Sequence, residues 1–338
     1  MTLEMIYISV KYLLSRIRNE ERKRRGRPKK YQDEVILTLL LFQTYNELSF
    51  REVLEIAKRK GFEVPSLNDY HYRFVALREE LMITLNEKFC EAVISISNQK
   101  GWGIKLYIVD GTGFSFGDKY RLSWMRGTEV RNVKSHVRLV VVVVVNDRGN
   151  AVIMSCEAGG PYASEVEMLR KILRRVRRLE NVPFLADRGY DAVDVIQGVL
   201  ELGGVPSIKM KETFRKNVRH PLRKLSRENW ERYGRGRYRV ESVFGSMKQK
   251  LGSGFRVVRE DVARKMAIAC ALLWNIYMLW VFLFLSFLLH LKTKSIHLNI
   301  FGTPSVISGT AMPCPKKSYF AQCLVQIFNY VIHILYSY

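Results

Sequence analysis

Three carboxylates occur where neighbouring strands and one helix could bring acidic side chains together. Asp110 follows a short β-rich run at residues 105–110, and Asp187 ends a second run at 183–187. Glu241 lies in the first turns of a predicted basic helix. Acids at strand ends reach one edge of an α/β sheet, so these three can meet although they are distant in sequence. Grouped carboxylates suit hard cations such as Mg²⁺, and two such cations can serve a phosphoryl transfer.

Each acid also has a simpler interpretation. Asp110 precedes Gly-Thr-Gly and could be a turn residue, and Asp187 could cap the segment that follows it. Glu241 could form a salt bridge on a charged helix. Their joint occurrence in this order of elements favours a shared site.

The segments between the acids predict an α/β fold. Six consecutive valines at residues 140–145 are typical of a strand buried on both faces. A turn at 146–149 and a strand at 151–156 complete a hairpin with it. The remaining elements are predicted in chain order as a helix at 164–180, the strand at 183–187, a helix at 192–202, a strand at 205–209 and a helix at 237–251. This order predicts a mixed sheet with helices on its faces.

Positive charge is concentrated in two parts of the 338-residue chain. The chain has 55 Lys and Arg against 32 Asp and Glu, a formal net charge of +23. Residues 11–30 hold ten basic and two acidic side chains, and residues 205–259 hold sixteen and four, so these blocks carry 8 + 12 = 20 of the 23 charges. Such surfaces predict a polyanionic partner, either nucleic acid or an anionic membrane. With 48% hydrophobic residues the chain can also bury a core, which excludes disorder throughout.

The first basic block ends in the sequence RKRRGRPKK at residues 22–30. Gly and Pro keep such a segment extended, so Arg25 and Arg27 could lie along a narrow minor groove, as in AT-hook segments. A solvated basic linker is the other interpretation.

Two short helices are predicted after this arm, at residues 49–60 and from Ser66 onward. Two helices across a tight turn resemble a helix-turn-helix. The second helix would then face the major groove through Asn68, His71, Arg73 and Arg78. A helical hairpin that only packs against the fold is the alternative.

An apolar stretch at residues 266–289 contains no Asp, Glu, Lys or Arg. An uncharged run of this length is long enough to be a transmembrane candidate. The favoured interpretation is a buried last helix of the sheet domain at 262–279, so a membrane is not the expected partner. A basic membrane-associated protein stays open as an alternative. Residues 281–338 form an apolar, unassigned tail.

The five cysteines are scattered without a CxxC pair or zinc-finger spacing, which indicates reduced thiols. The N-terminal segment lacks the pattern of a secretory signal. We therefore expect a cytoplasmic protein, associated with the nucleoid in a prokaryote.

Four motifs carry a resemblance to a known family: VDGT at 109–112, KSH at 134–136, ADRGYD at 186–191, and the helix around Glu241. With them the chain resembles the DD-E transposases of bacterial and archaeal insertion sequences. The resemblance covers residues 30–280 in organisation and 104–260 in motif detail. It implies an RNase H-like mixed sheet flanked by helices, preceded by a small all-α helix-turn-helix-like domain.

The resemblance implies that Asp110, Asp187 and Glu241 are catalytic and bind Mg²⁺, with Mn²⁺ as a possible substitute, in a two-metal site. The family's signature around the third acid is Tyr, two residues, Arg, three residues, Glu, six residues, Lys. Arg237 and Lys248 fit this spacing around Glu241.

The signature's tyrosine is missing at its position. Residue 234 is Gly, and the nearest candidate, Tyr233, lies one residue early. The chain therefore departs from the family's pattern at the tyrosine, whereas all three acids are present.

Contacts to DNA are expected from basic side chains around the acids. Arg237 and Lys248 lie one turn before and two turns after Glu241, where they could hold phosphates. Surface ion pairing is the alternative. The other residues expected to contact DNA are Arg25, Arg27, Lys134, His136, Arg188 and Arg239, and a basic loop is predicted at 209–235.

The implied activity is that of an insertion-sequence transposase, which binds terminal inverted repeats and catalyses metal-dependent cleavage and strand transfer. Its partners would be double-stranded DNA and a second copy of the chain, with no small-molecule substrate. The alternative is a catalytically inactive or domesticated DNA-binding protein derived from a transposase. The expected layout is a basic arm at 1–30, a helical DNA-binding domain at 31–100, a catalytic domain at 101–280 and the tail at 281–338.

Overall fold

The β-branched runs of the sequence form one mixed sheet in the computed structural model, which describes residues 1–18, 30–126, 129–211 and 218–300. Only the backbone is described for residues 16, 18, 118–126, 129–134 and 285–300. The strands are β1 (Ile104–Arg126), β2 (Glu129–Asn146), β3 (Ala151–Gly159), β4 (Pro183–Ala186), β5 (Val205–Ile208) and β6 (Gly254–Phe255).

The strand order is β3-β2-β1-β4-β5, and β6 pairs with β1. Strand β2 pairs with β1 and with β3 in antiparallel fashion, whereas β4 runs parallel to β1 and to β5. Residues 140–145 pair with β1 on one side and β3 on the other, and each valine is at most 2% exposed. The predicted mixed sheet is therefore confirmed.

Helices precede the sheet and cover it. In the described residues they are α1 (Leu3–Arg18), α2 (Asp33–Tyr45), α3 (Phe50–Arg59), α4 (Leu67–Ala76), α5 (Glu79–Gln99), α6 (Glu165–Arg175), α7 (Val193–Glu201), α8 (Pro221–Tyr233), α9 (Tyr238–Leu251) and α10 (Glu260–Ile300). The Ser49 hydroxyl accepts from the Glu52 amide while the Glu52 carboxylate accepts from the Ser49 amide, so α3 begins with a capping box. The predicted helical region before the sheet is confirmed.

The helix predicted at 164–180 ends earlier, at Arg175, and two other predicted segments differ more. Strand β1 does not end at Asp110 but continues to Arg126, because β2 keeps pairing with it as far as the Arg126–Glu129 pair, with an irregular stretch between Ser115 and Leu122. The predicted basic loop at 209–235 contains the helix α8. Pro221 starts this helix, where a missing N–H costs nothing, and buried Ser226 anchors it by accepting from the Ile208 amide.

The first helix lies inside the predicted basic arm. Its residues Leu3, Ile6 and Val10 are fully buried, so α1 packs into the fold. The chain divides into two compact units, Met1–Ile276 and Tyr277–Tyr338, and the helical region shares the first unit with the sheet. The division into four domains drawn from the sequence stays a prediction.

The apolar helix α10 is long and apolar enough between Glu260 and Phe284 to cross a membrane, but 78% of its most apolar window is buried. Within the first unit this helix is tied to the sheet by Asn275, which is fully buried. The Asn275 amide donates to the Ile153 carbonyl at 2.7 Å and to the Asn86 side chain at 2.9 Å, and its oxygen accepts from the Ile153 amide at 2.8 Å. Up to Ile276, α10 is the buried last helix that the sequence favoured.

Replacing Asn275 with Ala should destabilise the protein by about 2 to 4 kcal/mol, because each buried polar group left without a partner costs roughly 1 to 3 kcal/mol. Urea unfolding would measure the change, with Asn98→Ala on the exposed end of α5 as the matched control. Equal stability of the two variants would contradict the anchoring role of Asn275.

Candidate active site

The register between β1 and β4 places two of the three acids side by side. Val109 pairs with Ala186 in the last rung of this parallel ladder, so the next residues along the two strands are Asp110 and Asp187. Strand β4 ends there because Asp187 starts a short 3₁₀ turn at Arg188–Tyr190. Asp110 thus lies within a long strand rather than at its end, and the shared edge is created by the end of β4.

Arg237 joins all three acids. Its Nη2 lies 3.0 Å from Asp110 Oδ2 and 4.0 Å from Asp187 Oδ2, and its Nη1 lies 3.1 Å from Glu241 Oε1. The acids differ in exposure, at 18% for Asp110, 37% for Asp187 and 65% for Glu241. The structure therefore brings the three predicted acids together around one guanidinium, and Arg237 lies among carboxylates.

The turn that carries Arg237 fits closely against the sheet. It spans Gly234–Arg237, and a Cβ on Gly236 would lie 3.0 Å from Leu185 and 3.1 Å from Leu106. A Cβ on Gly234 would lie 2.7 Å from the Trp230 ring, so this position has no room for the signature's tyrosine while Trp230 stays in place. The departure from the family's pattern at residue 234 thus has a steric reason.

Burial is the main influence on the pKa of Asp110. Desolvation raises its pKa above the ordinary value, although the Gly111 amide and the Arg237 guanidinium oppose the shift. The neighbouring charges of Glu165 and Asp187 add to the increase. The environment of Asp110 therefore disfavours its charged form and favours a cation beside it.

Lys248 lies two turns after Glu241 on α9, as the spacing predicted, and its Nζ is 5.6 Å from the centre of the Phe114 ring. Phe114 is on β1, four residues after Asp110, and it stacks on Phe255. Partial burial lowers the pKa of Lys248. This places a cation beside the same strand that carries the first acid.

The other predicted DNA contacts are spread around the site. His136 is opposite Ser115 on β1 and packs against Gly113, and Arg188 is exposed directly after Asp187. The Arg239 side chain reaches the turn that contains Gly149. Lys134 lies on β2, where only the backbone is described, and Arg25 and Arg27 lie outside the described residues. A role in DNA contact stays a prediction for each of them.

The surface of α4 is partly as predicted. Arg73 was expected to face DNA, but it donates to Asp33 Oδ1 at 2.7 Å and to the Tyr31 carbonyl at 3.0 Å. It therefore holds α4 to the start of α2 and the residues just before it. The exposed residues of α4 include His71 and Tyr72, which is 70% exposed. An open cavity of about 630 Å³ lies at the start of α3 and α4 and is lined by Ser49, Phe50, Arg51, Leu67, Asn68 and His71.

A fourth acid was missed by the sequence reasoning. Glu165, the first residue of α6, accepts a hydrogen bond from the Tyr190 hydroxyl at 3.1 Å, and its charge helps to raise the pKa of Asp110. Its position between β3 and β4 gave no spacing signal. Gly111 was the available sign, because a glycine directly after a functional acid can mark the close approach of another group.

The side chains present suit a divalent cation in type. Among the described residues, no group of three or more His, Cys, Asp or Glu side chains is arranged to hold a metal ion as it stands. Asp110, Asp187 and Glu241 nevertheless all direct oxygen atoms at one cationic group, Arg237. Carboxylate oxygens are the ligands that Mg²⁺ accepts, so the donor set fits this ion.

The part of the chain that contains the three acids matches a known protein family. The family model described as the transposase DDE domain matches residues 101–276. An uncharacterized protein of Aquifex aeolicus (strain VF5) is 30% identical over 282 residues, which cover 82% of this chain and 87% of that protein.

Solved structures provide distant similarities. A synaptic complex of piggyBac transposase with hairpin DNA is 12% identical, with a TM-score of 0.38, and the match covers 93% of this chain and 86% of that one. The Mos1 strand transfer complex is 15% identical, with a TM-score of 0.26, and the match covers 75% and 76% of the two chains.

Asp110→Asn should stabilise the folded protein at neutral pH. Because the folded state raises the pKa of Asp110, its ionisation opposes folding above that pKa, and the gain should vanish as the pH falls towards the ordinary aspartate value of 3.8. Urea unfolding across this pH range would measure the effect.

Asp194→Asn is the control of opposite sign. Its hydrogen bond with Arg170 lowers the pKa of Asp194, so the folded state favours the charged form and the variant should lose stability at neutral pH. An Asp110→Asn variant less stable than the wild type at neutral pH would show that burial does not disfavour the charged form of Asp110.

Proposed function

Because the chain belongs to the transposase DDE domain family, we propose that it is an insertion-sequence transposase. In this proposal it binds terminal inverted repeats and cleaves and transfers DNA strands with the help of a divalent cation. The observation that carries the proposal is the convergence of Asp110, Asp187 and Glu241, from three separate elements, on the single guanidinium of Arg237.

The three carboxylates are the proposed ligands of Mg²⁺, with Mn²⁺ as a substitute. When bound, such ions stabilise the charge that develops on the attacking and leaving oxygens of a phosphoryl transfer. Cleavage and strand transfer are both in-line displacements at phosphorus, so the same carboxylates can serve both steps. The sheet contributes by placing Asp110 within β1 and Asp187 directly after the adjacent strand β4 before DNA binds.

Basic side chains near the acids would hold the DNA backbone. Lys248 and Arg239 lie on α9, the helix that carries Glu241, and Arg188 lies in the turn directly after Asp187. Cations on these two segments would contact phosphates and so position the DNA backbone. Arg237 is already engaged by carboxylates, and its buried Nε has no hydrogen-bond partner among the described residues. Its proposed role is therefore to balance the charge of the acids as well as to meet phosphate.

Recognition of the terminal repeat is assigned to the exposed face of α4. Asn68, His71 and Tyr72 present polar and aromatic groups beside the open cavity at the start of α3 and α4. Base edges in the major groove are read by such side chains on the second helix of a helix-turn-helix. Transposition needs two ends held together, so we propose a homodimer on double-stranded DNA, acting in the cytoplasm.

Asp187→Asn should abolish cleavage of a DNA duplex that carries the element's own terminal repeats. The expected loss is at least about 100-fold, the scale seen when a group that stabilises developing charge is removed. Gel analysis of 3′-OH ends formed in Mg²⁺ or Mn²⁺ would measure it. Asp194→Asn, on the exposed surface of α7, is the matched control and should cleave like the wild type.

Two results would contradict the proposal in different ways. Full cleavage by Asp187→Asn would remove Asp187 from the site. Repeat binding that weakens steeply with salt, without cleavage by the wild type in either ion, would instead identify the inactive DNA-binding derivative.

Replacing Asn68 and His71 with Ala should weaken binding to the terminal repeat by about 1 to 3 kcal/mol for each hydrogen bond to a base that is removed, with little change on unrelated DNA. Competition gel shifts would separate the two affinities. The control Asn98→Ala lies on α5, outside this face. An equal loss on both DNAs would show that α4 does not distinguish sequences.

A further inference from the structure

The turn that follows Asp187 is tied to α6 by one buried tyrosine. Tyr190 is 1% exposed, and its hydroxyl donates to Glu165 Oε2 at 3.1 Å. Burial, the nearby Glu165 carboxylate and the charge of Asp110 raise the pKa of Tyr190 well above its ordinary value, so the hydroxyl stays a donor. Because Tyr190 follows Asp187 by only three positions, whatever holds Tyr190 also restricts the position of Asp187.

The same carboxylate rests against the strand that carries Asp110. A Cβ added to Gly111 would lie 2.9 Å from Glu165 Cδ and about 3 Å from both carboxylate oxygens. Only a residue without a side chain lets Glu165 come this close to β1. The glycine of the VDGT motif therefore has a structural reason in this chain.

Arg138 on β2 holds Glu165 from the other side. Its Nη1 lies 3.5 Å from Glu165 Oε1 and 3.4 Å from the Ala163 carbonyl oxygen, to which it donates. The start of α6 is thereby fixed to the sheet. One carboxylate consequently contacts the turn after Asp187, the backbone next to Asp110, and β2.

We propose that Glu165 and Tyr190 are positioning residues that set the distance between Asp110 and Asp187. Asp110 is held by its pairing with Val141 on β2, whereas Asp187 lies one residue past the last rung of the β1–β4 ladder. The pairing of β1 with β4 therefore does not itself fix the distance between the two aspartates. The Tyr190–Glu165 hydrogen bond supplies the missing cross-connection. This proposal rests on the proposed function, in which both aspartates hold a divalent cation.

The test compares Mn²⁺ binding to full-length variants without DNA, measured by electron paramagnetic resonance, with DNA cleavage as a second readout. Tyr190→Phe and Glu165→Ala should each weaken Mn²⁺ binding and slow cleavage by about 10- to 100-fold, as removal of outer-shell partners usually does. Because both substitutions break the same hydrogen bond, the Tyr190→Phe, Glu165→Ala double variant should bind Mn²⁺ no more weakly than Glu165→Ala alone. Glu165→Gln keeps an oxygen that accepts from Tyr190 and should stay close to the wild type.

The matched controls are Tyr162→Phe, at a tyrosine that is 75% exposed, and Glu167→Ala, two residues along α6. Both should bind Mn²⁺ like the wild type. Thermal unfolding of each variant would show that it is folded, and Tyr190→Phe retains the ring that fills the core.

Failure of this proposal is distinct from failure of the proposed function. If Asp187→Asn removes Mn²⁺ binding but Tyr190→Phe does not weaken it, the positioning role is overturned and the cation site stands. If Glu165→Gln binds Mn²⁺ as weakly as Glu165→Ala while Tyr190→Phe binds it like the wild type, the charge of Glu165 matters and the hydrogen bond does not. This result also overturns the positioning role. If the wild type shows no Mn²⁺ binding that depends on Asp187, the proposed function fails and this inference fails with it.

Discussion

Carboxylates that share a sheet edge repel one another, and the site depends on a cation to hold three of them together. Arg237 supplies that cation in the structure, with Asp110, Asp187 and Glu241 all directed at its guanidinium. The fold brings the acids to this point through the β1–β4 register and the close packing of the Gly234–Arg237 turn. Like charges held at short range store unfavourable energy that a divalent ion can relieve, so this constraint links the fold to the proposed chemistry.

The sequence predicted the parts of this arrangement that depend on local patterns. The six valines at 140–145 predicted a strand buried on both faces, and Ser49 predicted the start of α3 through its capping box. The mixed sheet followed from the order of elements, and the spacing of Arg237, Glu241 and Lys248 placed them on or beside one helix. The valine run, the capping box and the spacing around Glu241 gave correct predictions because each depends on residues close together in the sequence.

The remaining features depend on tertiary contacts, and local sequence patterns did not predict them. The extension of β1 past Asp110 is due to its pairing with β2. The Gly-Thr-Gly sequence after Asp110 had instead indicated that the strand ends there. The pairing of Arg73 with Asp33 is invisible from α4 alone. Glu165 reaches the site only because α6 begins beside Gly111, which no spacing rule anticipates. Ion pairs and close approaches between distant segments therefore mark the limit of sequence reasoning for this chain.

The central claim is that Asp110, Asp187 and Glu241 form one cation-binding site. A crystal structure of the protein with Mn²⁺, located by its anomalous scattering, tests this claim most directly. We predict an anomalous peak bound to carboxylate oxygens of Asp110 and Asp187, with Arg237 moved away from the acids. An ordered site in which Arg237 keeps its ion pairs at saturating Mn²⁺, with no peak at the aspartates, would contradict it.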